Sequence, residues 1–408
     1  DQLAAVGSSS SVQFLVMGFC IGICVGFAIP VAQRYGAEDH KSMRAFIFQG
    51  AVLAAIAAIL VTTLCAILCP AILRLLSTPS AIYQDAYDYL FVIFLGIPFS
   101  ILYNYQASIL RAVGDSKTPF FFLAFSTVLN IALDLLCIVV FQLGCGGAAI
   151  ATITAQAISG VCCFFYIIIR YQMLHPQKED RYMDRQKVQI LLTMGLPMGL
   201  QFSITAIGSV VLQTAVNQLG TMYVTAVTAA NKLSMFFCCP FDAMGSTMAT
   251  YAGQNVGARK WDRLNKGMGS CVLLGLIYAV ASFLFLLFTG DYLAMIFLDE
   301  KSAHLIPLVK QFLLILAAFY FPLALVNIVR FTIQGMGFSP TATFAGVLEM
   351  VGRGTIAYFV GVFGFDAACF ASPAAWILAD CFLIPAYFLC RRRLLKKYGA
   401  ETPQVQQA

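Results

Sequence analysis

The sequence predicts an all-α integral membrane protein, built as two homologous helical lobes in parallel repeat. Three observations predict it. First, the 408 residues are 60% hydrophobic and 11% charged, with mean hydropathy +0.84. Soluble domains run near 45–50% and about 25%. Second, long apolar segments alternate with short polar connections. Third, Gln33-Arg-Tyr-Gly36-Ala37, which closes one apolar segment, returns 221 residues later as Gln254-Asn-Val-Gly257-Ala258. Leu3-Ala-Ala-Val6 returns at the same offset as Val224-Thr-Ala-Val227. Repetition at half the chain length marks an internal duplication, a common build for proteins in which two bundles rock about a site.

The apolar segments run in order at about 8–33, 46–72, 82–109, 119–142 and 147–169. They resume at 188–216, 223–253, 267–289, 304–329, 341–362 and 367–390. Each is long enough for the roughly 20 residues that cross hydrocarbon. Between the two sets lies 170–187, with Lys178, Glu179, Asp180, Arg181, Asp184, Arg185 and Lys187. It is too charged to enter a bilayer and reads as a cytoplasmic linker. The expected organisation is an N-lobe over 1–170, the linker over 171–187, a C-lobe over 188–390 and a basic cytoplasmic tail over 391–408.

Lys and Arg set the orientation. Connections on the linker side hold Arg34, Lys41, Arg44, Arg111, Lys117, the linker's own basic residues, Arg259, Lys260, Arg263, Lys266, Arg330 and the cluster Arg391–Lys397. Alternate connections hold only Arg74 and Lys301. An odd number of spans puts Asp1 outside. The second half has six segments and the first has five, and residues 1–7 match the connection after the second half's opening segment. Eleven transmembrane helices are therefore expected, of a natural twelve whose first is missing.

A second register supports the repeat. Asn104 and Gly114 match Asn327 and Gly337 at an offset of 223, and Pro98 and Pro322 match within one residue. Proline inside a span removes a backbone hydrogen bond and kinks the helix, so paired kinks are expected.

Several function classes are disfavoured. The basic residues lie between spans rather than on one face, so nucleic acid is not an expected partner. The cysteines sit inside apolar segments (Cys20/Cys24, Cys65/Cys69, Cys162-Cys163, Cys238-Cys239) and only His40, His175 and His304 exist, so they read as small hydrophobes rather than metal ligands. A phosphate-binding loop of Walker type is absent, leaving direct ATP drive unsupported. An intramembrane enzyme would need a His/Asp, paired-Asp or metal signature at membrane depth, and none is recognisable.

Ionisable groups in hydrocarbon are costly and usually functional or paired. Six stand inside segments: Asp134, Lys232, Asp242, Glu349, Arg353 and Asp380. Asn130 lies one turn before Asp134 on the same helix face. Asp134 and Thr152 both fall about 7–12 Å below the outer ends of their segments. A carboxylate, an amide oxygen and a hydroxyl thus converge, a donor set suited to Na+, while the carboxylate alone suits a proton. A structural polar cluster is the alternative. Glu349 and Arg353, spaced i, i+4, are placed to pair within one helix. They read as a structural pair or as a substrate-coupling group. Lys232, Asp242 and Asp380 are cavity candidates, with snorkelling the alternative for Lys232. Tyr103, Met235 and Tyr251 are candidates for a soft wall that accepts varied cations. Gln33 and Gln254 sit at cytoplasmic helix ends, as caps or gates.

The motifs combine into a resemblance. Gly22-x3-Gly26-x3-Pro30-x2-Gln33-x2-Gly36-Ala37 is followed by Leu110-Arg-Ala-Val-Gly114-Asp115-x2-Thr118-Pro119, Asn130-x3-Asp134 and Gly147-Ala-Ala-Ile-Ala-Thr152. The second half adds Gln254-Asn-Val-Gly257-Ala258, Gln334-Gly335-x-Gly337 and Glu349-x3-Arg353. In this order and spacing they resemble the multidrug and toxic compound extrusion (MATE) family, nearest its DinF-like bacterial branch, over essentially the whole chain. The resemblance implies twelve helices in two six-helix lobes and export of organic, often cationic, compounds in exchange for H+ or Na+. It implies location in the bacterial inner membrane. It also implies that Asn130, Asp134 and Thr152 belong to an N-lobe cation site whose further Asp lies on the absent first helix.

The expectation is therefore an ion-coupled antiporter, acting as a monomer in the lipid bilayer on small organic, cationic substrates, with no cofactor beyond the coupling ion. The alternative is a lipid-linked oligosaccharide flippase of the same superfamily, which would favour a cavity rich in Arg and Lys.

Overall fold

A computed structural model describes the backbone of residues 2–75, 82–297 and 300–399, and side chains of 12–74, 82–296 and 303–398. Leu3–Val6, Lys301 and the tail beyond 399 lie outside the described side chains.

Apart from short connections and parts of the linker, the described chain is helical, because backbone N–H and C=O groups in hydrocarbon have to be paired within the segment itself. In order, the helices are α1 Gln2–Gly36, α2 His40–Leu75, α3 Tyr83–Leu95, α4 Ile97–Ala112, α5 Lys117–Asp134 and α6 Gly144–Arg170. Then come α7 Arg185–Asn217, α8 Thr221–Gly257, α9 Trp261–Phe297, α10 Ile306–Ala318, α11 Tyr320–Gly335 and α12 Ser339–Gly399. A π-helical stretch, Leu135–Val140, prolongs α5. Among the described residues, eight helices are long and apolar enough to cross a membrane, or ten when each bent pair is one span. The family of helices is that of a multi-pass membrane protein. In the most apolar window of Lys117–Val140 only 6% of residues are buried against protein, so that span faces outward almost all round.

The bent pairs are the paired kinks. α3 and α4 meet at 44°, and α10 and α11 at 48°. Pro98 stands in the first turn of α4 and Pro322 in the first turn of α11, where a missing N–H is harmless. The break itself falls just upstream, at Gly96 and Phe319. A Cβ on Gly96 would lie 2.3 Å from Ile153 of α6, so only glycine lets this corner sit against that helix. The expected segments 341–362 and 367–390 are joined without a loop. The backbone of α12 leaves helical geometry at one residue, Gly364, with φ 67° and ψ −147°.

The chain divides into two compact units, Asp1–Ser203 and Ile204–Ala408. The first unit takes the opening part of α7. Small residues make that contact. A Cβ on Gly22 would fall 2.6 Å from the Met198 carbonyl, and one on Gly26 would fall 2.5 Å from Gly195 Cα. Gly22-x3-Gly26 thus faces Gly195-x3-Gly199, the small-residue crossing that lets helix backbones touch in a membrane.

The repeat is visible in backbone geometry. Gly114 after α4 and Gly337 after α11 take φ 92° and 97°. Their N–H groups donate to Arg111 O and Gln334 O, and the next N–H reaches back to Leu110 O and Ile333 O. This is one helix-ending motif used twice. After α1 and α8, Glu38 and Arg259 take φ 57° and 55°, again with matching bonds.

The linker packs on the first unit. Arg44 Nε of α2 meets Asp180 Oδ2 at 2.7 Å, and Gln49 Nε2 donates to the Tyr182 carbonyl at 3.0 Å. One expectation is corrected here: Arg330 is not in a connection. α11 runs on to Gly335, and Arg330 is buried inside it, 4% exposed. A single basic residue at a segment's end looked like a loop residue because the apolar run stops there. The helix continues because its partners are buried too.

Candidate functional site

In the first unit the residues of interest come from α5, α6, α3 and α1. Asn130 and Asp134 sit one turn apart on α5, as spacing dictates. Asn130 Nδ2 donates to Thr152 Oγ1 of α6 at 3.4 Å, and the Thr152 hydroxyl donates on to the Ala148 carbonyl at 2.9 Å. So the structure brings Asn130 and Thr152 together. Asp134 is the last α-helical residue before the π-helical turn, a distortion that recurs at functional sites. Its Oδ1 is enclosed and has no hydrogen-bond partner among the described residues. Buried polar atoms are normally paired, so an enclosed carboxylate oxygen without a donor is a candidate position for a proton or a cation.

Two neighbours were not foreseen. Tyr89 of α3 lies within reach of the Asp134 charge, and its hydroxyl donates to Gln13 Oε1 of α1 at 3.2 Å. Gln13 had a signal, being an amide inside an apolar run. Tyr89 had none, because one tyrosine among many carries no mark of its neighbours. Oxygen donors able to hold a cation here come from Asp134, Asn130 and Thr152. Among the described residues there is no group of three or more His, Cys, Asp or Glu placed to hold a metal ion.

The second unit holds a chain of charges. Arg330 of α11 pairs with Glu349 of α12 through Oε1, and Arg353 Nη2 reaches Glu349 Oε2 at 3.4 Å. Arg353 Nη1 also donates to the Thr205 carbonyl of α7 at 3.5 Å. All three side chains are buried. The expected i, i+4 pair is present, but Arg330 makes it a triad. Asp242 of α8 is exposed on its unit and accepts from Asn327 Nδ2 at 3.3 Å. Asp380 is buried, its Oδ1 lacks a partner among the described residues, and it lies within charge reach of Arg330. The repeat partner Asn104 instead donates to the Ser100 carbonyl of its own helix. The two units share a backbone plan but not a charge pattern.

Other candidates are dispersed. Lys232 and Met235 are exposed. The Tyr103 hydroxyl donates to the Pro119 carbonyl at 2.8 Å, and the Tyr251 hydroxyl to the Arg263 carbonyl at 2.8 Å. Both hydroxyls are committed to backbone. Gln33 and Gln254 lie in the last turns of α1 and α8.

The family model described as MatE matches residues 1–136 and 197–359. The chain is 32% identical over 318 residues to the probable multidrug resistance protein YpnP of Bacillus subtilis (strain 168), covering 78% of this chain and 71% of that one. It is 22% identical to the FAD transporter of Shewanella oneidensis, covering 80% and 73%. Among solved structures, an outward-facing multidrug resistance MATE family transporter of the MOP superfamily shares the fold at TM-score 0.89, with 20% identity over 96% of this chain and 88% of that one. A MOP superfamily transporter from Pyrococcus furiosus Vc1, described as having a binding pocket of reverse polarity, gives the same TM-score, identity and coverages. With a family model matched in both halves and a relative above 30% identity, the chain belongs to the MATE family, whose members are transporters and not enzymes.

Proposed function

We propose that this transporter exports small organic cations across the bacterial inner membrane by exchange for H+ or Na+, with Asp134 as the ion-coupling group. The observation that carries the reading is the enclosed, unpartnered Oδ1 of Asp134 beside the Asn130–Thr152 contact. An ion arriving there pairs the orphaned oxygen, and the α-to-π junction supplies a backbone able to change when it does. Differential binding of the ion to two states is what drives alternation.

A cargo other than a pyrophosphate-carrying lipid is supported by the charge count in the second unit, where Glu349, Asp242 and Asp380 equal Arg330, Arg353 and Lys232 in number, so basic groups are not in excess. A pyrophosphate-carrying lipid would require such an excess. The orientation with linker and tail cytoplasmic rests on the basic residues of 170–187 and 391–397. Ten spans become eleven if the break at Gly364 separates two crossings. The protein works as a monomer in this reading.

The test uses the protein in proteoliposomes. Export of a fluorescent organic cation is compared under a proton gradient alone and a sodium gradient alone. Export driven by one of them is expected. Transport indifferent to both gradients overturns the proposal, and gradient-independent transfer of a labelled lipid-linked oligosaccharide would favour the flippase.

A further inference from the structure

In the first unit, a cavity of about 470 Å³ opens between α2, α4 and α6, against residues 174–181 of the linker. Its wall is apolar, with Ile47 and Phe48 from α2, Leu102 and Ile109 from α4, and Phe164 and Ile168 from α6. A second apolar cavity of about 330 Å³ shares Ala51, Leu102 and Tyr105 with the first and continues to Ile59 on α2 and Pro98 on α4. Together they form one trough. From Ile47 to Ile59 it runs about 18 Å along the helix, close to half of a bilayer's roughly 30 Å hydrocarbon. It lies on the outward apolar face, where Ile59 is 65% and Phe164 47% exposed.

The trough is polar at its linker end alone. Gln106 is 6% exposed, yet neither its amide nitrogen nor its oxygen has a partner among the described residues. The Nε2 of His175 is likewise buried and unpartnered. Arg181 stands at the mouth, its Nε donating to the Pro176 carbonyl at 3.3 Å. The neighbouring carboxylate of Asp180 is taken by Arg44, so it does not cancel the Arg181 charge at close range. Gln106 lies six residues before the end of α4, about 9 Å below it, the depth of a lipid's ester groups rather than its tails. A buried amide left unpaired costs free energy that a bound hydrogen-bonding group would recover.

We infer that this trough binds one anionic phospholipid of the surrounding bilayer. One acyl chain fills the apolar length, an ester carbonyl accepts from Gln106 Nε2, and the phosphate lies against Arg181 with His175 beside it. The length, one-ended polarity and outward opening fit a lipid better than a compact solute. An organic cation would meet a guanidinium at the entrance.

The inference is tested by native mass spectrometry of the full chain, released from detergent containing equimolar dioleoyl phosphatidylglycerol and dioleoyl phosphatidylcholine. One phosphatidylglycerol is expected to be retained about fivefold more often than phosphatidylcholine, the factor that one basic side chain near a headgroup supplies. Arg181→Gln should abolish the preference and Arg181→Lys should keep most of it. Leu102→Trp, which fills the trough, should lower retention of both lipids while gel filtration shows an unchanged folded species. Equal retention of the two lipids by the unaltered protein, or an unchanged preference in Arg181→Gln, overturns the inference. Displacement of the lipid by millimolar inorganic phosphate overturns it too, because the site would then serve a free anion.

Discussion

Arg330 of α11 and Glu349 of α12 form a buried ion pair inside the second unit, and Arg353 closes on the other carboxylate oxygen. One acid thus holds two guanidiniums in an apolar setting. Taking the acid away leaves two like charges buried together, whereas taking Arg353 away leaves a simple pair. Glu349→Gln is therefore expected to cost about 3–5 kcal/mol, with Arg353→Met costing clearly less. The readout is the detergent melting temperature of each variant. If Glu349→Gln melted like the unaltered protein, the triad would not be what ties α11 to α12.

Gly114 and Gly337 end equivalent helices with the same positive φ. An L side chain there meets its own carbonyl, at roughly 1–2 kcal/mol. Gly114→Ala and Gly337→Ala should therefore destabilise by similar amounts. Gly354→Ala is the control. It lies within α12 with nothing inside 4 Å of an added Cβ, so it should be neutral or stabilising by up to about 1 kcal/mol. Thermal melts of the three variants decide it, and a destabilised Gly354→Ala would show that the positive φ is not the cause.

These matched turns show what the sequence makes legible. Repeated Gly114/Gly337 and Pro98/Pro322 announce repeated backbone, because glycine and proline restrict the chain locally and leave the same mark wherever they act. The contact between Asn130 and Thr152 was legible for a related reason, since polar atoms in apolar runs need partners. Arg330 was not legible, because at the end of an apolar run a buried arginine and a loop arginine look alike. Only its partner nineteen residues on distinguishes them, and that is a tertiary fact. Tyr89 and Gln106 failed to show for the same reason: what matters is which atoms surround them. Gly22 and Gly26 stand out in the sequence as motif residues, but their use, a backbone contact with Gly195 and Gly199, depends on a helix far along the chain.

The linker carries a pH dependence. Asp180 is buried, which raises its carboxyl pKa, but the bond and charge of Arg44 and the Gln177 N–H outweigh that and hold it below the usual carboxylate range. Its contribution is complete above the ordinary aspartate pKa of about 3.9 and is lost as pH falls through the lower folded value. Hydrogen exchange across 172–184 should therefore stay slow at pH 5 and quicken, after correction for intrinsic rates, below about pH 4. Asp180→Asn should exchange quickly at both pH values. Equal protection in the variant and the unaltered protein at pH 5 would show that Arg44 and Asp180 do not fasten the linker.

Asp134 sits on the outward-facing α5 with one oxygen enclosed and unpaired, next to a contact between Asn130 and Thr152. Replacing it with asparagine preserves shape and removes both charge and titration. Because that oxygen makes no hydrogen bond within the protein, Asp134→Asn should change the melting temperature little. Coupling should suffer far more. Gradient-driven export in proteoliposomes is expected to fall at least tenfold, a loss of about 1.4 kcal/mol or more in the free energy that links ion to substrate. Thr152→Val, which removes one oxygen and the acceptor for Asn130, should weaken coupling less if the ion is a proton and comparably if it is sodium, since only sodium needs several oxygen ligands. Full gradient-driven export by Asp134→Asn would move the coupling site elsewhere, with Asp380, whose Oδ1 lacks a partner among the described residues, the next group to replace.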